Sequence, residues 1–446
     1  MLKKSIYGNI LLRNTSPVID SPSVSIGGEC NDSRAYLSLN EEILSRHMML
    51  IGGTGCGKTN TFFHIVDQIK RSMKENDVMI IFDTKEDYYK KFYNPRSDYV
   101  ISTSPTFEDK AAIWNIFNEI LLDGLNDRMV QENVSELSWG LFSEAVEKNT
   151  SNPFFPNAAR DLFASILTCI IRFTDGKEDL IKRYLNNEFL RNKLDTMDAS
   201  AIRSLLCDYS DQAAVMSYIG DGDNSQGMGV IAEMQTIIRK IFVGAFASKG
   251  DFSVRRFIRE RGAKTLFIEY DLSRGATLTP IYKMLVDLAL KEAMSRNSDS
   301  SKYGNEDDRG NVYIFCDEFK LLPSLQHIED AVNFGRSLGV KVVAGLQSID
   351  QLYENYGEAR GKNIVAGFSS VLSFKANDED TRNFTVGLYG KNYISEQYRA
   401  INNSITEERR ISSVVEDWDI ISLKRGEAII GLTDFPPFKF KFDKYR

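Results

Sequence analysis

Short apolar runs alternate with longer amphipathic stretches along this chain. Runs at 48–51, 78–82, 99–102, 265–270, 312–316, 341–346, 371–374 and 427–431 are dominated by Val, Ile, Leu, Met, Phe and Tyr. Runs of that length without polar alternation predict strands buried on both faces. Segments 59–73, 279–295 and 328–337 carry apolar residues at helical spacing; in the first, Phe62, Phe63, Ile65, Val66 and Ile69 share one side. Strands separated by helices predict an α/β protein with a mostly parallel sheet, not a β-sandwich.

From about residue 107 the alternation stops. Helical periodicity runs through 121–130, 138–146, 158–173, 187–194, 199–208 and 230–246, punctuated by Asn152-Pro153 and by 220–227. This predicts an all-α insertion over 121–261. It divides an α/β body into a first part, 47–120, and a second part, 262–446. Residues 1–46 hold β-like pieces at 5–12, 24–26 and 35–39 around a turn-rich stretch, 14–23, and read as a small cap without its own core. Residues 296–311, polar with Gly304 and Gly310, read as a mobile loop.

Composition narrows the classes. The chain has 446 residues, 42% hydrophobic and 26% charged, enough for two or three cores. A net charge of −7 excludes a broad nucleic-acid-coating surface but permits a local basic groove. Five cysteines (30, 56, 169, 207 and 316) show no pair spacing, as expected of reduced thiols in the cytosol. Three distant histidines give no metal-cluster pattern. No signal peptide opens the sequence. The most apolar window, 162–171, is flanked by Arg160, Asp161 and Arg172 and falls short of the ~20 residues of a membrane span. A cytoplasmic protein is expected.

The sharpest motif follows the 48–51 run. Gly52, Gly53, Thr54, Gly55, Cys56, Gly57, Lys58 and Thr59 form G-x-x-x-x-G-K-T, the phosphate-binding P-loop. Small residues let backbone N–H groups approach a phosphate chain, and the helix that follows adds its positive end. Lys58 would reach the β- and γ-phosphates of ATP, and the Thr59 hydroxyl would hold Mg²⁺. Cys56 reads as a small filler.

A second half-site lies at 312–318. There Asp317 and Glu318 follow an apolar strand and emerge at its carboxyl end, where ligands of open α/β sheets sit. Asp317 can support a Mg²⁺-bound water and Glu318 can polarise an attacking water; the alternative is a core strand ending in surface acids. Gln347 ends the next strand and reads as a γ-phosphate sensor or as a buried amide serving the backbone. Arg336 precedes that strand and reads as an arginine finger for a neighbouring subunit or as a solvated surface pair.

These blocks resemble the coupling ATPases of conjugation and type IV secretion, the TraD/TraG kind, within the HerA–FtsK group of DNA translocases. The resemblance rests on 47–59 (HMMLIGGTGCGKT), 80–85 (IIFDTK), 92–95 (FYNP), 114–119 (WNIFNE), 153–163 (PFFPNAARDLF), 315–323 (FCDEFKLLP) and 335–357 (GRSLGVKVVAGLQSIDQLYENYG). It implies a RecA-like motor with an inserted all-α domain, a homo-oligomeric ring, usually a hexamer, ATP and Mg²⁺ at subunit boundaries, and DNA in the central channel. It places the arginine finger at Arg336 and the sensor at Gln347. Membrane-anchored members begin with transmembrane helices and some carry a cargo-holding tail; this chain shows neither. Relaxase, secretion or mobile-element proteins are therefore the expected route to the inner face of the membrane. Two alternatives remain: a cytosolic HerA–FtsK-like translocase in DNA processing or phage defence, and an ATPase delivering protein substrates to a secretion channel.

One cluster bears on DNA directly. Arg255, Arg256, Arg259, Arg261 and Lys264 could face a channel, or form a solvated helix end balanced by Glu260 and Asp251. No base-reading motif is visible, so backbone contacts without sequence readout are expected.

Overall fold

A computed structural model describes residues 2–220, 225–273, 275–295, 310–399 and 405–446. Its strands are β1 (Leu2–Tyr7), β2 (Val24–Cys30), β3 (Ser33–Leu39), β4 (Met48–Ile51), β5 (Val78–Asp83), β6 (Tyr99–Ile101), β7 (Lys264–Glu269), β8 (Val312–Cys316), β9 (Val340–Leu346), β10 (Ser370–Phe374), β11 (Lys391–Arg399), β12 (Ile405–Ser413), β13 (Glu427–Gly431) and β14 (Phe438–Phe442). Eleven of them form one sheet in the order β3-β2-β14-β13-β10-β4-β9-β8-β5-β7-β6. From β10 to β6 every pairing is parallel. From β10 to β3 every pairing is antiparallel. A separate sheet joins β1, β11 and β12.

The parallel strands are mainly apolar because both faces are covered. Met49 and Ile51 of β4 enter one hydrophobic core with Val78, Ile80 and Phe82 of β5. Met48 and Leu50 enter the other, with Met79 and Ile81. The second core contains the helix Lys58–Ser72 through Phe62, Ile65, Val66 and Ile69. It also holds Val24, Ile26, Leu37 and Leu39, so β2 and β3 share the body's core.

The other core continues into the helices inserted between β6 and β7. The segments expected at 121–130 and 138–146 form a turn, Leu121–Asp123, and one long helix, Asp127–Lys148, capped by Asn126. That helix packs on Phe154–Phe173 and on the body helix Gly275–Met294. Phe154–Phe173 extends beyond the apolar window seen in the sequence. Among the described residues it alone is long and apolar enough to cross a membrane, and 67% of its most apolar window is buried inside the protein. The five cysteines are free. Most of the loop expected at 296–311 lies outside the described residues.

The insertion's entry and exit are tied by a buried knot. Glu119 has no exposed surface. It accepts hydrogen bonds from Trp114 Nε1 (2.9 Å), Ser253 Oγ (2.7 Å) and the Val254 and Arg255 N–H groups (2.6 and 3.2 Å). Beside it, Arg255 pairs with Asp123 (2.7 Å) and Glu292 (2.8 Å), and Arg259 pairs with the same two acids (2.6 and 2.5 Å). This corrects the basic-cluster expectation. Arg255 and Arg261 are buried, and Arg259 is turned inward to carboxylates. Arg256 alone of the helix Val254–Glu260 keeps an exposed guanidinium. The two acids that neutralise Arg255 and Arg259 lie 132 and 37 residues from Arg255 in sequence, so neighbouring residues gave no sign of them; Lys264 keeps a local partner, Glu260, at 3.9 Å.

Candidate nucleotide-binding site

Parallel strands bring their carboxyl ends to one edge, and β9 lies between β4 and β8. The P-loop after β4, Asp317-Glu318 after β8 and Gln347 after β9 therefore meet. Thr59 Oγ1 donates to Asp317 Oδ2 at 2.8 Å. Gln347 Nε2 donates to Glu318 Oε2 at 3.1 Å, and the Thr54 hydroxyl lies 3.5 Å from Gln347 Oε1. The middle strand's amide thus links the loop to the acid. The three meet in a cleft of about 490 Å³, which Gly55, Gly57, Lys58 and Asn60 also line.

The loop takes its shape from glycine. Gly57 has φ +120°, and a Cβ there would stand 3.0 Å from Gly426 Cα; a side chain would be strained and crowded at once. Gly345, on β9, is constrained by crowding alone. A Cβ would meet the Asp317 carbonyl oxygen at 2.2 Å, so a bare backbone at this point lets β9 and β8 close up beneath the acids. Lys58 Nζ bonds the carbonyls of Gly52 and Gly53. Cys56 is buried, and that burial pushes its thiol pKa up, consistent with a filler.

Asp317 is held by more than Thr59. The Tyr88 hydroxyl donates to the same oxygen at 2.9 Å. Tyr88 sits on the helix Asp87–Phe92, whose first N–H groups bond Asp83 Oδ2 at the end of β5. Burial raises the Asp317 pKa, against the two hydroxyl donors and the Lys58 charge, which lower it. A cation arriving beside this carboxylate would favour its charged form. Thr59 and Asp317 offer hard oxygen donors 2.8 Å apart, which fits Mg²⁺, an ion that takes few protein ligands and completes its shell with phosphate and water. Among the described residues no cluster of three or more His, Cys, Asp or Glu side chains is placed to hold a metal ion.

Four polar cleft side chains were not assigned a role from the sequence. Lys85 stands 3.9 Å from Glu318 Oε1; its place two residues after Asp83 was visible in the IIFDTK block. Asn60, Arg425 and Lys444 also line the cleft, the last two from distant sequence. Arg336 is not in it. It lies in the turn Gly335–Leu338 before β9, at the opposite edge of the sheet. The seven-residue β9, about 23 Å long at strand rise, separates it from Gln347. Arg336 is 53% exposed and 3.7 Å from Glu42.

Fold and site together define a RecA-like P-loop nucleotide-binding protein with an inserted all-α domain. Residues 33–442 match the model of the type IV secretion-system coupling protein DNA-binding domain, and the chain belongs to that family. No curated protein matches the sequence. Solved structures do. The conjugative coupling protein TrwBΔN70, in its trigonal form with sulphate, is 19% identical with a TM-score of 0.74, covering 99% of this chain and 95% of its own. The plasmid coupling protein TrwB in complex with a non-hydrolysable ATP analogue gives 0.73 at 19% identity over the same shares. VirB4 of Thermoanaerobacter pseudethanolicus gives 0.54 at 12% identity, covering 96% and 99%. At these identities the likeness establishes the fold.

Proposed function

We propose that the protein is a ring-forming ATPase that couples ATP hydrolysis to DNA translocation, in the manner of a coupling protein in conjugative or type IV secretion transfer. The observation that carries this reading is the joined site: a P-loop, an acid pair and an amide, hydrogen-bonded across three adjacent strands, in a chain of the coupling family.

Each residue then has a role. The loop from Gly52 to Gly57 cradles phosphate with its N–H groups. Lys58 neutralises the β- and γ-phosphates, and Thr59 and Asp317 hold Mg²⁺. Glu318 accepts a proton from the attacking water. Gln347, already bonded to Glu318, couples the γ-phosphate to that acid. Arg336 acts on the next subunit's nucleotide, because its own site lies across the sheet and its guanidinium is half exposed. DNA passes through the ring's channel without base readout, in the cytoplasm, with partner proteins bringing the ring to the membrane.

ATPase rate against duplex and single-stranded DNA, with mass measurement in ATP and ADP, tests the whole. DNA stimulation by a multimer is expected; a flat response over both DNA forms would point to protein cargo. The finger has its own test. Arg336→Ala and Lys58→Ala subunits, each inactive alone, are mixed. Partial recovery of turnover is expected where a Lys58→Ala subunit lends its arginine to an intact P-loop. Absence of recovery at every ratio removes Arg336 from the site.

A further inference from the structure

We infer that the antiparallel half of the sheet supplies the nucleoside end of the site, with Arg425 and Lys444 gripping the base and ribose of a purine nucleotide. This rests on the nucleotide-site reading above. In a P-loop, the lysine and the residue after it face the terminal phosphates. Here Asp317, Glu318 and Gln347 mark that end. The cleft continues past them, over Gly57 and Asn60, to Arg425, Gly426, Phe442 and Lys444. A nucleotide whose γ-phosphate faces Gln347 must lay its nucleoside there.

The wall is built into the loop rather than resting on it. The Gly426 N–H donates to the Cys56 carbonyl and the Phe442 N–H to the Gly426 carbonyl, both at 2.8 Å. Asn60 Nδ2 donates to the Asp443 carbonyl and the Tyr445 N–H donates to Asn60 Oδ1, again at 2.8 Å each. His64 Nε2 lies 3.1 Å from the Asp443 carbonyl. Residues on both sides of Lys444, and the residue after Arg425, are therefore fixed relative to the P-loop helix. Phe442, stacked on Phe374 at 5.8 Å, gives the wall an apolar backing.

The two cations have nothing else to do. Neither the Arg425 nor the Lys444 side chain makes an ion pair or hydrogen bond among the described residues, whereas nearby Lys439 and Lys441 pair with Glu427 and Glu29. A guanidinium plane stacks on a purine face, and an ammonium donates to ribose oxygens. β14, which ends at Phe442, also pairs with β2, so nucleotide binding would tie the first strands of the chain to the P-loop.

The test compares Mg-ATP with magnesium tripolyphosphate, which has the phosphates but no nucleoside, by calorimetry on the full chain. In Arg425→Ala/Lys444→Ala the ATP dissociation constant is expected to rise about tenfold or more, with tripolyphosphate binding unchanged. Both side chains are exposed, so the melting temperature without ligand stays at the wild-type value. Equal weakening of both ligands would reassign the pair to phosphate and overturn the nucleoside assignment; unchanged ATP affinity would remove them from the site. Failure of the wild-type protein to bind either ligand would overturn the nucleotide-site reading itself.

Discussion

Glu318→Gln is expected to keep ATP and lose its hydrolysis. The glutamine has nearly the same shape and can still meet Gln347, whose Nε2 now reaches the carboxylate at 3.1 Å. Mg²⁺ is assigned to Thr59 and Asp317, so the cofactor remains. What disappears is an atom that can take a proton from water. A positioned general base contributes about 10²–10⁴-fold to rate, and turnover at saturating Mg-ATP falls by about that factor. Phosphate release measured beside equilibrium ATP binding separates the two effects. Undiminished turnover would show that another group activates the water. Lys85 stands 3.9 Å from the same carboxylate, so the variant also frees that cation toward the γ-phosphate, and ATP affinity is expected to hold or rise.

The sequence made this site legible because its ligands are local. The glycines, lysine and threonine of the P-loop are contiguous, and the acid pair and Gln347 each directly follow a buried strand. The parallel strands were legible for a related reason: a strand covered on both faces is a short, mainly apolar run bounded by turn residues. The rest of the sheet obeys different rules. β11, KNYISEQYR, buries Ile394 but exposes Tyr393 and Gln397, and its polar composition hides a strand that pairs with both β1 and β12. β14 alternates cleanly, with Phe438, Phe440 and Phe442 buried and its lysines turned outward, but follows a Pro-Pro turn at the end of the sequence and carried no motif. Tyr88 left no trace in periodicity, since its role depends on the hydroxyl meeting Asp317 across 229 residues.

The basic stretch at 255–264 fails for the opposite reason. Its charges are local and conspicuous, and the partners of Arg255 and Arg259 are not. Two arginines one helical turn apart would form a cationic stripe on an exposed helix. Here the stripe faces Asp123 at the insertion's entry and Glu292 on the helix Gly275–Met294. Charge along a sequence states how much must be neutralised, and the fold decides by what.

That arrangement yields the largest expected loss of stability. Arg255→Ala leaves Asp123 and Glu292, with side chains 9% and 3% exposed, sharing Arg259 as their remaining cation. It also removes the donor to the Glu119 carbonyl (2.9 Å). Breaking a buried pair by deleting one partner costs about 3–5 kcal/mol; because Arg259 persists, a loss near the lower end, about 3 kcal/mol, is expected in the urea unfolding midpoint. Arg255→Lys retains charge but cannot span both acids with a planar fork, and falls between. The pH dependence follows from Asp123. Burial works to raise its pKa, but hydrogen bonds from Arg255, Arg259 and Asn133 outweigh it and hold the carboxyl below the usual range. Its contribution is complete above the unfolded carboxylate pKa and is lost as pH falls through the lower folded value. Without Arg255 the folded value rises, so acid unfolding begins at higher pH. Hydrogen exchange in Asp127–Lys148 reports whether the insertion loosens first. A channel-facing cluster would give the reverse result, with unfolding unchanged and DNA binding weakened and less salt-dependent, and that outcome would return Arg255 to the DNA.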